Sequence, residues 1–182
     1  MLKENENPPL LWPQERSIAD FTGRWWVAQT RSRNEKALAW QLLHKDIQYF
    51  LPMSWKVRSS RGRKFRSLIP LFGGYLFFCG QEDDRVEALK TNRIAHILAV
   101  NNQDSFIGEL LPIERALKLG EPLIPHEYLK SGQRCRVVAG PMMGTEGFII
   151  TTGKNTRLIM QVQMLGQSAS MEIDMDIVEA ID

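Results

Sequence analysis

The chain is 182 residues long, 43% hydrophobic and 24% charged, with two cysteines and a formal net charge of +2. No apolar run approaches the roughly 20 residues that span a bilayer, the polar, proline-bearing start has no signal- or transit-peptide pattern, and two distant cysteines among apolar neighbours oppose a disulfide framework, so a cytoplasmic protein with reduced thiols is expected. The charge is divided, since residues 21–80 hold 11 Lys+Arg against 2 Asp+Glu while residues 121–182 hold 5 against 8, which points to two modules with different partners.

Residues 1–20 read as a flexible tail, because Pro8, Pro9 and Pro13 oppose regular structure; only Trp12 could tack it to the body. Arg24 to Thr30 is aromatic and β-branched and predicts a strand. Ser32 or Asn34 offers an N-cap, and Glu35 a favourable first-turn charge, for a helix running to Lys45 with Leu38 and Leu42 on one face. Trp40 points elsewhere and reads as a core or rim residue. Ile47 to Val57 is extended, with Pro52 limiting it to an edge or a bulge. Lys56 to Arg66 holds the turn residues Ser59-Ser60-Arg61-Gly62 and predicts a hairpin.

The chain is organised around Ile69 to Phe78. Gly73-Gly74 permits a sharp turn. The strand after it puts Tyr75 and Phe77 on one face and Leu76 and Phe78 on the other. Both faces are apolar, so pattern alone admits a strand buried on both sides. It equally admits one that leaves Phe72, Tyr75 and Phe77 as a patch for a partner. Gln81 to Asp84 opens a helix reaching about Lys90, and Ile94 to Val100 is a short strand. Residues 21–108 thus form an α+β domain, an antiparallel sheet flanked by helices. Proline and glycine punctuate a linker at 109–130 that holds a short helix, Ile113 to Leu119. Residues 131–182 show strands at Gln133–Ala139, Gly147–Thr151, Arg157–Met164 and Ala169–Ile173, with a fifth near Ile177-Val178. They form a small all-β barrel.

Trp25-Trp26-Val27-Ala28-Gln29, Glu35-Lys36, Leu51-Pro52 and Pro70-Leu71-Phe72-Gly73-Gly74-Tyr75-Leu76-Phe77 together resemble the N-terminal domain of the NusG family of transcription elongation and antitermination factors. Gly140-Pro141-Met142-Met143-Gly144-Thr145-Glu146-Gly147-Phe148, with the ending Ile173 to Glu179, resembles the family's KOW domain. The compact first domain is similar to specialised RfaH-like paralogues. The resemblance implies that Phe72, Tyr75 and Phe77, with Gln29 nearby, dock on the clamp helices of the β′ subunit of RNA polymerase. It implies a second contact, to the β subunit, around Arg85. It implies suppression of pausing or regulation of termination by a monomer that binds no membrane. Met142, Met143, Met164 and Leu165 stand at the KOW positions that meet Rho or the ribosomal protein NusE, where relatives carry aromatics; methionine keeps such a face apolar and adaptable. Relatives carry proline where Gly73 stands. RfaH-like barrels can refold as helices, but Val137-Val138 and Phe148-Ile149-Ile150 favour strand, and five glycines oppose long helices, so an all-β domain without switching is expected.

Three aromatics would yield roughly 1.5–3 kcal/mol each on burial, and micromolar docking needs about 8 kcal/mol net of ordering costs. Docking therefore needs a second contact. Lys56, Arg58, Arg61, Arg63, Lys64 and Arg66 follow one another with no acid between Trp55 and Gln81. They read as a solvated hairpin or as phosphate contacts to upstream duplex or the non-template DNA strand, without base readout. Trp40 and Trp55 are the candidates for stacking on an unpaired base. An alternative is a free-standing KOW protein that uses the hairpin on structured RNA, against which the acidic C-terminal block argues. An enzyme reading fails on inventory. His44, His96 and His126 lack partners at metal-ligand spacing, and no phosphate-binding loop or nucleophile elbow is present, so no cofactor is expected.

Overall fold

The computed structural model describes residues 6–60, 62–129, 132–153 and 155–181. The chain divides into two compact units, Met1–Asp104 and Ser105–Asp182.

The first unit contains β1 (Leu11–Trp12), β2 (Arg24–Thr30), α1 (Glu35–His44), β3 (Gln48–Phe50), β4 (Met53–Ser60), β5 (Arg63–Pro70), β6 (Tyr75–Gly80), α2 (Glu82–Lys90) and β7 (Ile94–Ala99). Five strands form a sheet in the order β1-β3-β6-β2-β7, and β4 and β5 make a separate two-stranded ribbon. Every pairing in this unit is antiparallel. One face of the sheet presents Trp26, Ala28, Tyr49, Leu76 and Phe78 to Leu38, Ala39 and Leu42 of α1 and Ala88 of α2. This is the face on which Leu76 and Phe78 were expected to meet the core.

The extended run Ile47 to Val57 is two strands, β3 and β4, parted at Leu51-Pro52. Proline has no N–H for a ladder, and the Pro52 carbonyl instead accepts the Leu71 N–H at 2.8 Å. Of the segment read as a loose tail, Leu11 and Trp12 pair with Phe50 and Tyr49. The Trp12 indole N–H donates to Asp46 at 2.9 Å, and the Tyr49 hydroxyl donates to the Pro9 carbonyl at 3.0 Å.

A third helix, α3 (Gln103–Lys118), begins with the last two residues of the first unit. The reading from the sequence placed only a short helix here, Ile113 to Leu119, beginning after Pro112. The structure carries it through, because Phe106, Leu110, Ile113 and Ala116 recur at helical spacing and are all buried. That apolar stripe outweighs the local cost of the proline. The second unit adds β8 (Ile124–Glu127), β9 (Gln133–Val137), β10 (Glu146–Thr152), β11 (Asn155–Val162), β12 (Gln167–Glu172) and β13 (Val178–Ala180). They pair antiparallel in the order β13-β9-β10-β11-β12-β8. Beyond α3 the only helical turns in the described residues of this unit are two of three residues each. β8, which adds to the edge of β12, lies in the segment read as linker. Its Pro125 lacks a ladder donor, which hides a strand from pattern reading.

Cys79 and Cys135 are free and buried. Burial, with the Asp84 carboxylate adding to it, pushes the Cys79 thiol up to about 12, and burial also raises Cys135. Only the thiolate is nucleophilic. Iodoacetamide at pH 8 is therefore expected to modify neither cysteine in the native protein and both in urea, as read by intact mass; rapid native labelling of Cys79 would contradict its burial.

Candidate partner-binding surfaces

The turn before β6 is held from three sides. The Tyr75 N–H donates to the Phe72 carbonyl at 3.2 Å, and the Thr30 N–H donates to the Gly74 carbonyl at 2.8 Å. The Gly74 N–H donates to Glu35 Oε1 at 2.6 Å. Glu35 is buried, so the first residue of α1 fixes where β6 begins. Sequence reasoning read Glu35 as a first-turn helix charge and as part of the family resemblance, and did not foresee this contact. Gly74, with φ +85°, is the left-handed residue here rather than Gly73.

Phe72 and Phe77 do not form an exposed patch. They are 1% and 0% exposed. Phe77 meets Phe72 edge-on at 6.0 Å and lies 6.3 Å from Phe50, its partner in the β3–β6 register. Large aromatic rings that can close on one another gain more from mutual burial than from exposure. Tyr75 is half-buried. It is paired with Gln29, also half-buried, which is paired in turn with the exposed His96. Cross-strand partners share a face, so Tyr75, Gln29 and His96 form one row across β6, β2 and β7. The sequence reading weighed His96 as a metal-ligand candidate and missed its place in this row, because register is not legible in β7 alone.

Arg85 lies half-buried near the start of α2. Its Nε donates to Glu82 Oε1 at 2.7 Å, and its terminal amino group reaches the same oxygen. The Arg85 hydrogen bond holds the Glu82 carboxyl below its ordinary range. Asp84 accepts the Gln81 N–H at 2.7 Å, and Glu87 bridges Lys45 and Lys90. Glu82 and Glu87 are thus each met by cations, whereas Asp83 is exposed and, among the described residues, Asp84 accepts only a backbone N–H.

Of the basic run, Lys56, Lys64 and Arg66 are exposed on the ribbon. The backbone places Arg58 opposite Phe65 and Arg63 opposite Ser60, and Arg61 lies outside the described residues. The Arg66 guanidinium sits 4.9 Å from the Trp55 ring centroid. Trp40 is half-buried and stacks on His44.

In the second unit, Met143 is 63% exposed and Met142 only 4%. Met142 is turned inward by the loop, whose Thr145 N–H donates to the Met142 carbonyl at 3.0 Å and whose Gly144 N–H donates to the Val137 carbonyl at 2.8 Å. Met164 is exposed and Leu165 half-buried, on the helical turn between β11 and β12. Two α3 side chains tie these loops within the unit. Arg115 donates to the Met143 carbonyl at 3.0 Å, and Glu109 accepts the Gln163 N–H at 3.0 Å. Burial raises the Glu109 carboxyl above its usual range, against the pull of that hydrogen bond. Neither residue stood out in the sequence, because each is an ordinary charge on an amphipathic helix. Among the described residues no group of His, Cys, Asp and Glu could hold a metal ion, and no helix is long and apolar enough to cross a membrane.

Residues 23–115, just over half of the chain, match the family model NusG, transcription termination factor nusG. No curated protein matches the chain. Among solved structures, one of Thermotoga maritima NusG, concerned with domain interaction, is similar at 17% identity and a TM-score of 0.48, covering 87% of this chain and 97% of that one. A structure of the MjSpt4:Spt5 complex in conformation B is similar at 16% identity and a TM-score of 0.25, with the same two coverages, 87% and 97%. Neither superposition is close enough to place a residue.

Proposed function

This chain belongs to the NusG family of transcription factors, and on that premise we propose that it is a non-catalytic elongation or antitermination factor that docks on the β′ clamp helices of RNA polymerase. Family membership over residues 23–115 carries the reading. The Tyr75, Gln29 and His96 row is the surface it uses, with Phe72 and Phe77 supporting Tyr75 from within. This row offers less apolar area than three exposed aromatics, and micromolar docking needs about 8 kcal/mol net. Further contacts must supply the remainder. Arg85 at the start of α2 faces the β subunit, and the ribbon cations face upstream duplex or the non-template strand. Met143, Met164 and Leu165 make the apolar face for a further factor, Rho or NusE.

The test is a pull-down of purified bacterial RNA polymerase, followed by a pausing assay. The Tyr75→Ala/Gln29→Ala variant is expected to lose at least 10-fold in polymerase retention and to lose its effect on pausing, while keeping the native melting temperature. Wild-type retention by this variant would remove the row from the docking surface.

A further inference from the structure

The second unit holds a cleft of about 350 Å³, lined by Glu109 of α3, Tyr128, Phe148 of β10, Gln161 of β11 and Gln163, together with the Arg134–Glu146 pair. Register explains why the strand residues meet. Phe148 is opposite Arg134 of β9 and Ile159 of β11. Gln161 lies two residues beyond Ile159, on the same face of its strand. Glu109 joins them from the helix, where its carboxylate accepts the Gln163 N–H at 3.0 Å.

Glu109 is half-buried, and among the described residues no cation pairs with it. Its raised carboxyl is what burial without a counter-charge produces. Arg134 is instead 3.3 Å from Glu146, which also takes Arg136 at 2.6 Å. The Gln161 side-chain N–H donates to the Leu129 carbonyl at 3.0 Å, which fixes the amide and leaves its oxygen to accept. The cleft thus offers a carboxylate and an amide oxygen beside two half-buried aromatic rings, Tyr128 and Phe148.

A flat cation with several N–H donors meets all of these at once. It forks a carboxylate, donates to an amide oxygen with what remains, and lies against a ring. An ammonium is a point charge and cannot stack. Half-buried and exposed walls do not enclose a free small molecule as ligand pockets do. A side chain carried by a protein brings its own further contacts, and Gln163 opens the turn that holds Met164 and Leu165.

We infer that this cleft receives an arginine side chain of a protein partner, with Glu109 pairing the guanidinium, Gln161 accepting from it and Phe148 against its plane. The inference rests on the second unit's recruiting a further factor, and it names the residue that the factor brings.

The experiment titrates the isotope-labelled full chain with N-acetyl-arginine amide, N-acetyl-lysine amide and N-acetyl-citrulline amide, the last keeping the arginine shape without its charge. Amide resonances of Phe148, Gln161 and Gln163 are followed. Arginine is expected to shift them to saturation at millimolar concentrations, and citrulline to bind about 10-fold more weakly or worse. Glu109→Gln, whose amide oxygen still accepts the Gln163 N–H, is expected to weaken arginine about 10-fold at an unchanged melting temperature. Phe148→Leu keeps an apolar wall without a ring and is expected to weaken it about 3-fold. No saturable shift with arginine, equal binding of citrulline or of lysine, or wild-type arginine binding by Glu109→Gln overturns the site. Pull-downs of purified Rho and NusE test the recruitment beneath it. A factor retained by the wild type is expected to be retained less by Glu109→Gln. Equal retention by both overturns the inference and leaves recruitment standing. Retention of neither factor by the wild type, with arginine still bound in the titration, removes Rho and NusE as partners and upholds the arginine site.

Discussion

Phe77→Ala is expected to destabilise the protein by about 3–5 kcal/mol, the range for truncating a phenylalanine in a closed core. Phe77 is fully buried, and its ring lies 6.0 Å from Phe72 and 6.3 Å from Phe50. Removing it leaves a void that two neighbouring rings and the central strand β2 would have to close. Such a loss should lower the melting temperature by about 10 °C or more. Urea unfolding and near-ultraviolet circular dichroism read the effect. If Phe77 instead faced a partner, as its place in the aromatic stretch suggests, the substitution would cost within about 0.5 kcal/mol and act only on docking. Tyr75→Ala should do the reverse of Phe77→Ala, with little change in stability and a large loss of polymerase retention. The two neighbours thus separate the core role from the surface role within one strand.

Gly147→Ala is expected to cost about 3 kcal/mol, at the upper end for overpacking a closed site. A Cβ at Gly147 would lie 2.4 Å from the Ile159 carbonyl oxygen. That atom belongs to the backbone of β11, which pairs with β10 along five residue pairs, so it cannot swing aside as a side chain could. The hairpin would have to open. Gly144→Ala is the control. Gly144 also lies in the loop-to-strand segment and has φ +86°, but a Cβ there meets nothing within 4 Å. Its cost should be only the left-handed backbone preference, about 1 kcal/mol. Urea midpoints of the two variants decide the matter. A smaller loss for Gly147→Ala than for Gly144→Ala would show that the strands do not approach so closely.

Local chemistry was legible where a short pattern has one solution. β2 begins and ends where its aromatic and β-branched run does, and α1 and α2 begin within a residue of the positions set by their caps and first-turn acids. The division into an antiparallel α+β part and an all-β part was also readable, because strand-length runs and turn glycines recur throughout the second half. Reading failed where a feature depends on what lies across the molecule. Proline looked like a boundary at Pro112 and was not, since Phe106, Leu110, Ile113 and Ala116 all gain burial in one helix. β1 and β8 are too short to announce themselves, and each exists because an edge strand offers it hydrogen bonds.

The candidate surfaces show the same division. That the ribbon is basic was evident from the run Lys56 to Arg66, since charge is carried by composition alone. Which side of it joins Trp55 to Arg66 required the register. That Met143 rather than Met142 faces outward required the hydrogen bonds of the Gly140 to Thr145 loop.

By itself the sequence determined the succession of an antiparallel α+β part and an all-β part, the family, the sign of the charge on each part and the alternation along β6, all of which follow from residue types read in order. It could not determine which faces are covered. A strand apolar on both sides satisfies the same alternation whether one side is closed or open, and only the tertiary structure closes Phe50, Phe72 and Phe77 on one another while leaving Tyr75 in a row with Gln29 and His96.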